Sequence, residues 1–336
     1  MILLSNCLTD VADEGCLKVA NSLTKRIKQV QERVTVVSTA RRSGLTDIYL
    51  DINKFLISGK LIRLIRKSGE PVLYIPFPTR SLPNAIRIFW LSLFVPKPFK
   101  VVFTMTSPYN RLSKMLLKWS KAQVYALSKS AADFYETVVG PKRVTYLKTG
   151  VDTDRFVPTA PENIRELKGK YGLDPDKKVV LHVGHMKAGR NIGQLMKLDS
   201  QYQVLLVTST FTTDEQDLQL RQQMEQCENI KIIDYYLPNI EQIYQLADVY
   251  FFPVLEQGNC IDIPLSCLEA AACGTPVVMT AYGEMREFVG KPGFYFMENP
   301  ELANQRIAEA LEHGDSDPRS SVLEYDWKRS VQRLLK

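Results

Sequence analysis

The sequence predicts an α/β protein of two halves, each with a parallel sheet covered by helices. Short apolar runs alternate with amphipathic segments along all 336 residues, which is typical of parallel strands joined by helices. A chain of this length can form two domains with complete cores. The turn-rich stretch KTGVDTDRFVP at 148–158 separates the two series and predicts a junction.

Eleven apolar runs are predicted to be strands, six in the first half and five in the second. They are short and rich in Val and Ile, as strands buried on both faces are. The predicted strands are Ile2–Ser5, Val34–Ser38, Val72–Ile75, Val101–Thr104, Val124–Leu127, Val144–Leu147, Val179–Val183, Val204–Val207, Ile230–Ile233, Val249–Pro253 and Pro276–Met279.

Helices are predicted between the strands, where apolar residues recur at three- and four-residue spacing. Ser128 or Ser130 is a suitable N-cap for a helix through Phe134 and Val138. A Trp-bearing amphipathic segment, EYDWKRSVQRLL, lies at 324–335. The other helical groups are Leu17, Ala20, Leu23 and Ile27; Phe55, Ile62 and Ile65; Leu112, Met115, Leu116 and Trp119; and the segments Thr213–Cys227 and Ile240–Leu246.

The net charge of +6 combines two halves of opposite sign. Residues 1–150 contain 24 Lys and Arg against 9 Asp and Glu, a net charge of +15, whereas residues 151–336 carry −9. This split predicts domains with different partners, and the basic half favours an anionic surface or ligand. No zinc-finger spacing or RNA-binding aromatic motif accompanies it, so we do not expect nucleic acid as a partner.

The remaining composition is that of an ordinary globular chain, with 45% hydrophobic and 24% charged residues. No apolar run reaches the roughly 18 residues of a membrane span. The stretch MILLSNCLTDVADEG lacks the basic start of a signal peptide, so we expect a cytoplasmic protein. Six cysteines and three histidines show no metal-ligand spacing, and we expect neither a metal nor a cofactor.

The most informative segment is 247–289, ADVYFFPVLEQGNCIDIPLSCLEAAACGTPVVMTAYGEMREFV. An apolar strand runs into a loop of small and polar residues, the loop enters a helix at Pro264, and Gly274 ends that helix before a second strand. Loop and helix start therefore lie at the carboxyl edge of a parallel sheet, where such folds bind ligands. Backbone N–H groups there suit a phosphate, and the Glu269 carboxylate can accept hydrogen bonds from a sugar hydroxyl.

The order of these features, with Leu-Glu-Ala followed by Gly-Thr-Pro-Val-Val, resembles the donor-site signature of retaining GT-B glycosyltransferases of family 4, the glycogen-synthase-like superfamily. The Gly-Val-Asp junction followed by Phe and Pro is similar as well. The resemblance implies a GT-B fold, with two Rossmann-like domains and a cleft between them. We expect an acceptor-binding domain over 1–150, a nucleotide-sugar-binding domain over 151–317, and a terminal helix over about 318–336 that crosses back to the first domain.

A basic turn, VGHMKAGRN, follows the first strand of the second half at 183–191. Gly184 allows a ligand to approach the backbone, and the planar guanidinium of Arg190 can bind diphosphate oxygens in pairs. Members of the family usually carry Arg and Lys where this chain has His185 and Arg190. We expect Gly184, His185, Arg190 and Asn191 to contact the donor, and Lys187 and Arg190 to assist catalysis.

The retaining family has two glutamates separated by seven residues, and Glu269 matches the second, which holds the nucleotide ribose. The chain has Ile261 at the first position, so we predict that Asp262 acts in its place, near the donor hexose or its phosphate. Glu256 is a second candidate, and capping of the helix entry is a structural alternative for Asp262. The predicted donor contacts here are Ile261, Asp262, Ile263, Pro264, Leu265 and Ser266.

The resemblance also places the nucleobase near Tyr235, Tyr236 and Leu237. Two interpretations of the tyrosines are open: a tyrosine stacks on the base, or the tyrosines are buried in the core at the end of a strand.

The first half carries weaker signals. Gly15 follows the first strand and is expected to face the interdomain cleft, and Glu14 beside it suits a helix start. Thr106 and Ser107 occupy a region in which many relatives carry a histidine that contacts the donor sugar, and we expect them in the cleft.

The segment Arg80–Lys100, RSLPNAIRIFWLSLFVPKPFK, combines large apolar residues with flanking cations. It is too short to span a bilayer. Two interpretations are open. The segment is either an interfacial one that reaches a lipid-linked acceptor or a buried helix of the first domain. With the basic first domain, this segment predicts peripheral association with the inner face of the plasma membrane.

These expectations describe a glycosyltransferase of polysaccharide or glycoconjugate biosynthesis. It would move a hexose-type sugar from a nucleotide-diphosphate donor, UDP or GDP rather than ADP, to a glycan, lipid-linked or small-molecule acceptor with retention of configuration. The resemblance implies a front-face transfer without a protein nucleophile, in which stabilisation of the diphosphate matters most. Because the first glutamate and the histidine are missing, the alternative is an inactive GT-B subunit that binds nucleotide sugar.

Overall fold

The structure, a computed structural model, describes residues 1–78, 81–210, 217–256, 258–312 and 316–336. The chain forms two compact units. Unit 1 consists of Met1–Thr149 with Trp327–Lys336, and unit 2 consists of Gly150–Asp326. Each unit is built on one parallel sheet with helices between its strands, so the predicted α/β class is confirmed.

Strands and helices alternate through both units. The strands are β1 Ile2–Ser5, β2 Thr35–Ser38, β3 Ile48–Tyr49, β4 Val72–Ile75, β5 Phe99–Phe103, β6 Gln123–Ala126, β7 Val144–Tyr146, β8 Val179–Gly184, β9 Gln203–Thr208, β10 Ile230–Ile233, β11 Val249–Phe252, β12 Val277–Met279 and β13 Phe294–Phe296. The helices are α1 Gly15–Val30, α2 Gly59–Ser68, α3 Ser81–Ser92, α4 Arg111–Trp119, α5 Lys129–Val139, α6 Pro161–Lys170, α7 Leu218–Glu225, α8 Glu241–Leu246, α9 Leu265–Ala272, α10 Ala303–Glu312 and α11 Trp327–Leu335.

The sheet of unit 1 has the order β3-β2-β1-β4-β5-β6-β7, and every pairing in it is parallel. The order reverses at β1, which pairs with β2 on one side and with β4 on the other. Helix α11 belongs to this unit: the Ser330 hydroxyl donates to the Lys148 carbonyl over 2.6 Å, and the Lys100 ammonium donates to the Leu334 carbonyl over 2.6 Å.

The sheet of unit 2 has the order β10-β9-β8-β11-β12-β13, again all parallel. Strand β8 lies at its centre and is buried on both faces, since Val179 and Leu181 contribute to one apolar cluster and Val180 contributes to another. Alternate residues of a strand point to opposite faces. Two-sided burial therefore explains why the apolar runs of this half are continuous.

Side-chain caps fix several helix starts. Ser128, rather than Ser130, caps α5, because its hydroxyl oxygen accepts a hydrogen bond from the backbone N–H of Ala131. Glu14 caps α1 in the same way, with a distance of 3.0 Å from its Oε2 to the N–H of Leu17. The expected helix start at Glu14 is thus confirmed.

The structure corrects several expectations. Strands β3 and β13 were not predicted, because strands of two or three residues at the edges of a sheet leave almost no period-two pattern. Phe55 lies before α2, which begins after its cap Ser58. The helix predicted over 213–227 is observed only as α7, and residues 213–216 lie outside the described part of the chain. The terminal helix begins at Trp327 rather than near 318.

Within the described residues, every helix falls short of the length and apolarity that crossing a bilayer requires.

Candidate donor site

The candidate site lies where the strand order of unit 2 reverses. The chain adds β9 and β10 on one side of β8, and β11 to β13 on the other. The loops that leave the carboxyl ends of β8 and β11 diverge at this point, and in open parallel sheets such a crevice is where ligands bind. The loop after β8 is formed by residues 185–191 of the basic turn, and the loop after β11 is formed by residues 253–264.

Arg190 joins the two loops. Its side chain is buried, and its Nε donates to the backbone carbonyl of Asn259 over 3.0 Å. The neighbouring Asn191 donates from Nδ2 to the carbonyl of Pro253 over 3.1 Å. Both bonds go from side chain to backbone, so the turn after β8 fixes the path of the loop after β11.

Gly184, the last residue of β8, leaves the space that Arg190 occupies. A Cβ at this position would lie 2.6 Å from Nη1 of Arg190 and 3.0 Å from Nε2 of His182. Any side chain here would displace the guanidinium. The group that lies close to the backbone of Gly184 is therefore the Arg190 guanidinium. The approach of a ligand to Gly184 stays a prediction.

His182 lies beneath this turn as a neutral, fully buried residue. Its Nδ1 is 2.8 Å from the carbonyl oxygen of Phe251. A carbonyl can only accept, so Nδ1 carries the proton and Nε2 the lone pair. Burial, together with the positive charge of Arg190, lowers the pKa of His182 to about 4.

The stretch around Asp262 is held from the loop after β12. The Tyr282 hydroxyl donates to the carbonyl of Cys260 over 2.7 Å and accepts from its N–H over 3.0 Å. The N–H of Glu284 donates to the Asp262 carbonyl over 3.0 Å. Gly283 has a φ of 53°, and a Cβ on it would overlap that same carbonyl oxygen. Only glycine therefore fits here without moving the Asp262 loop.

Asp262 lies two residues before the N-cap of α9. That N-cap is Pro264, which makes no capping hydrogen bond with its side chain, so both the donor-site role and the helix-entry role of Asp262 stay predictions. The Asp262 side chain is half-buried, whereas Ile261 before it is buried. Glu256 is exposed, and its Oε2 accepts from Nδ2 of Asn259 over 3.4 Å.

Glu269 is placed on α9, one turn after the helix start, and its side chain is buried. Its Oε2 accepts a hydrogen bond from the Tyr244 hydroxyl over 2.7 Å. Burial and the adjacent carboxylate raise the pKa of Tyr244, so this hydroxyl keeps its proton and orients the carboxylate. Gly274, with a φ of 85°, follows the C-cap and ends the helix as predicted.

The rest of the segment forms the entry to α9. Ile263, Pro264 and Leu265 are buried, and Ser266 is half-buried. Among the predicted site residues of the basic turn, His185 and Lys187 are half-buried. These residues follow β8 and β11, and thus share the edge at which the strand order reverses.

Tyr235 and Tyr236 lie after β10, separated from β8 by β9. They are 57% and 38% exposed, so the interpretation that they belong to the core is wrong. Leu237 packs against the core of unit 2. The described contacts do not bring these residues to Arg190 or Asp262, although all lie at one edge of the sheet.

The residues predicted in unit 1 lie at the carboxyl edge of the other sheet. Gly15 is the first residue of α1, which follows the loop after β1. Thr106 and Ser107 follow β5 and are half-buried.

Sequence reasoning missed the residues that support the site: His182, Tyr244, Asn259, Tyr282 and Gly283. The Tyr282-Gly283 pair in the loop after β12 was the readable signal, because glycine is the usual residue where the backbone takes a positive φ or another group approaches it closely. The others act through contacts distant in sequence. In the described ranges of the chain no group of three or more His, Cys, Asp or Glu is arranged to hold a metal.

Residues 177–313 match the family model described as Glycosyl transferases group 1. The match contains the basic turn, the Asp262 loop and Glu269, and it supports a group 1 glycosyltransferase.

Curated relatives agree with this assignment. The chain is 22% identical to alpha-maltose-1-phosphate synthase of Mycobacterium tuberculosis over 217 residues, covering 58% of this chain and 56% of the relative. It is 30% identical to D-inositol 3-phosphate glycosyltransferase of Geodermatophilus obscurus over 168 residues, covering 44% of this chain and 35% of the relative. The chain thus spans about half or less of the length of these relatives.

A solved structure extends the fold likeness to the whole chain. Anabaena Alr3699/HepE, solved in complex with UDP-glucose, superposes with a TM-score of 0.77 at 15% identity, covering 99% of this chain and 98% of that one. The predicted GT-B class is confirmed by such neighbours.

Proposed function

We propose that the protein is a nucleotide-sugar-dependent glycosyltransferase whose donor binds at the carboxyl edge of the unit 2 sheet. The observation that carries the proposal is the junction of the two loops at Arg190. This side chain fixes the loop after β11 through Asn259, within the region that matches the family model. The likeness to a structure that contains UDP-glucose is consistent with a UDP-sugar.

In this proposal the donor diphosphate lies over the turn at 184–191. Arg190 and Lys187 supply positive charge, and His185 and Asn191 supply polar contacts. Charge-assisted hydrogen bonds from guanidinium to phosphate are among the strongest that side chains make. Fixed cations can stabilise the departing diphosphate without a metal ion or other cofactor.

Sugar and nucleoside would lie to either side of the diphosphate. We assign Asp262 and the backbone of Ile261–Ser266 to the hexose and its phosphate, and Glu269 to the ribose. The Tyr244 hydroxyl donates to Oε2 of Glu269 over 2.7 Å and so orients the carboxylate that we assign to the ribose. The exposed rings of Tyr235 and Tyr236 offer surfaces on which the base, UDP or GDP, can stack.

We propose transfer with retention of the anomeric configuration. The bond from the anomeric carbon to the phosphate oxygen breaks, and the acceptor oxygen bonds to the same face of that carbon. The acceptor proton passes to the departing phosphate. Asp262 would stabilise positive charge on the hexose during this step. Gly15, Thr106 and Ser107 of unit 1 are proposed to contact the acceptor, and the charge of +15 over residues 1–150 favours an anionic or lipid-linked one.

The test is donor hydrolysis by pure protein with UDP- and GDP-sugars, for wild type, Asp262→Ala and Glu256→Ala. We expect Asp262→Ala to lower turnover by about 100-fold or more while nucleotide affinity stays within a few-fold. Glu256→Ala, an exposed carboxylate of the same loop, is the matched control and should keep its turnover. If Glu256→Ala alone lost turnover, the assignment of Asp262 would be wrong.

An inactive nucleotide-sugar-binding subunit is the second candidate, favoured by the buried Ile261 at the position of the first glutamate. It predicts saturable binding of a nucleotide with no release of sugar in the wild type. Release that exceeds the spontaneous rate, and that depends on Asp262, excludes this candidate.

A further inference from the structure

Helix α4 of unit 1 presents an apolar face to solvent. Leu112, Met115 and Trp119 are 47%, 38% and 56% exposed. Their spacing of three and four residues places them along one side of the helix. The buried residues of the helix are Ser113 and Leu117, so the apolar repeat that predicted this helix is its outer side and not its core side.

Helix α3 extends this face. The rings of Phe89 and Trp119 lie 6.4 Å apart between centroids, and Leu93, four residues after Phe89, is 57% exposed. Ile88 and Leu91 of the same helix are buried in the core, so α3 contributes both to the core and to the outer surface. Arg80, at the start of the predicted interfacial segment, lies outside the described residues. We call Phe89, Leu93, Leu112, Met115 and Trp119 the α3–α4 face.

Exposed cations lie on α4 beside the apolar residues of the face, and α3 and α4 carry no carboxylate. Arg111, Lys114, Lys118 and Lys121 are all exposed on α4 or directly after it. Residues 71–132 contain nine Lys and Arg and neither Asp nor Glu. The solvent-exposed surface of a segment of this length normally carries both positive and negative charges.

We propose that the α3–α4 face docks unit 1 on the surface of an anionic lipid bilayer. Exposed apolar side chains, including a Trp, flanked by Lys and Arg are what an interfacial helix uses to enter the headgroup region. Each cation near an anionic leaflet adds attraction, and neither α3 nor α4 carries a carboxylate that would oppose it. This interaction stands apart from the transferase activity, since none of these residues belongs to the donor site.

Helix α2 provides a matched control surface. It carries the exposed cations Lys60, Arg63, Arg66 and Lys67. None of the large apolar side chains that are exposed in the described part of the chain lies on it. If unit 1 bound membranes by electrostatic attraction alone, removing charge from α2 or from α4 would lower the affinity equally. The proposal predicts a larger loss of affinity from α4.

The experiment is flotation of the full chain with vesicles of phosphatidylcholine, with and without phosphatidylglycerol, at low and high salt. We expect binding only to the anionic vesicles, weakened by salt. Lys114→Gln with Lys118→Gln should lower the affinity roughly tenfold or more. Lys60→Gln with Lys67→Gln, which removes the same charge from α2, should change it less than about threefold.

The apolar side of the face has its own test. Leu112→Ser with Met115→Ser should also lower the affinity, roughly tenfold, and Val30→Ser, an exposed apolar residue elsewhere in unit 1, should not. Bromine-labelled lipid should quench the fluorescence of the wild type on binding, and Trp119→Leu should lose the larger part of this quenching. Trp119 is 56% exposed, whereas Trp327 is buried and Trp90 is half-buried with its ring against Phe94. That readout uses a variant that keeps an apolar residue and does not depend on the folding of the serine variants.

Three outcomes would overturn the proposal. The first is no binding of the wild type to anionic vesicles at low salt. The second is an equal loss of affinity for anionic vesicles in the α2 and α4 charge variants. The third is self-association in solution that the α4 variants abolish while vesicle binding persists, which would make the face an interface between copies of the chain.

Discussion

The two units build their candidate surfaces differently. In unit 2 the donor-site loops are tied to each other by side-chain hydrogen bonds to backbone, from Arg190, Asn191 and Tyr282. In unit 1 the α3–α4 face consists of side chains from α3, from Leu93 directly after it, and from α4, and the opposite sides of both helices form the core. A ligand of fixed shape is bound best by loops that are already in place. A fluid anionic surface requires only apolar area and positive charge.

Gly283→Ala should have the largest effect on the fixed loops of unit 2. The substitution forces alanine into a φ of 53° and onto the carbonyl of Asp262, so we expect unit 2 to lose about 3–5 kcal/mol of unfolding free energy. Gly290→Ala is the control, because Gly290 has a φ of 77° and a Cβ added to it would have open space within 4 Å; this substitution should cost about 1–2 kcal/mol. Chemical denaturation of both variants measures the difference, and equal losses would mean that close packing of the Asp262 loop is unimportant.

The buried His182 gives a pH dependence that unit 2 alone should have. Its pKa is about 4 in the folded protein against 6.5 for an ordinary histidine. The unfolded state therefore binds the proton more readily between these values, and stability falls as the pH is lowered from about 6.5 to 4, by about 3 kcal/mol at most. Denaturation at several pH values should show this slope in the wild type and a shallower one in His182→Gln. An unchanged slope in the variant would contradict the assignment.

Arg190→Lys tests whether geometry or charge alone holds the donor loops. Lysine keeps the positive charge but loses the Nε donor to Asn259 and the paired donors for phosphate. We expect nucleotide affinity to fall by about 10- to 100-fold. Arg165→Lys, at an exposed ion pair with Asp176 in the same unit, is the control and should bind as the wild type does. Calorimetric titration with UDP measures both, and full affinity in Arg190→Lys would reduce the role of this residue to its charge.

The smallest effect concerns unit 1. Ser128→Ala removes the cap of α5 and should destabilise the unit by about 1 kcal/mol, whereas Ser130→Ala should have an effect below about 0.5 kcal/mol. Thermal unfolding compares the two variants. A larger loss from Ser130→Ala would show that the cap is assigned to the wrong serine.

Local patterns in the sequence predicted most of the fold. Each of the eleven predicted strands is present, because buried parallel strands are short continuous apolar runs. The edge strands β3 and β13 were missed, since two or three residues carry no readable period. The apolar repeat of α4 predicted a helix correctly, but periodicity alone does not say whether an apolar stripe faces the core or the solvent.

The candidate site was predictable where its chemistry lies within one segment. The turn at 184–191 and the entry to α9 are both local in sequence, and the structure places them at one edge of the sheet. The supporting contacts join residues 22 to 69 positions apart, as Tyr282 joins Cys260 and Arg190 joins Asn259. Such pairs have no sequence pattern of their own, so only the fold reveals them.

The most direct test of the central claim is calorimetric titration of the intact chain with UDP, and with GDP and ADP for comparison. We predict saturable binding of one nucleotide per chain, weakened by Arg190→Lys and by Gly283→Ala and retained in Gly290→Ala. No binding of any of the three nucleotides by the folded wild type would contradict this claim.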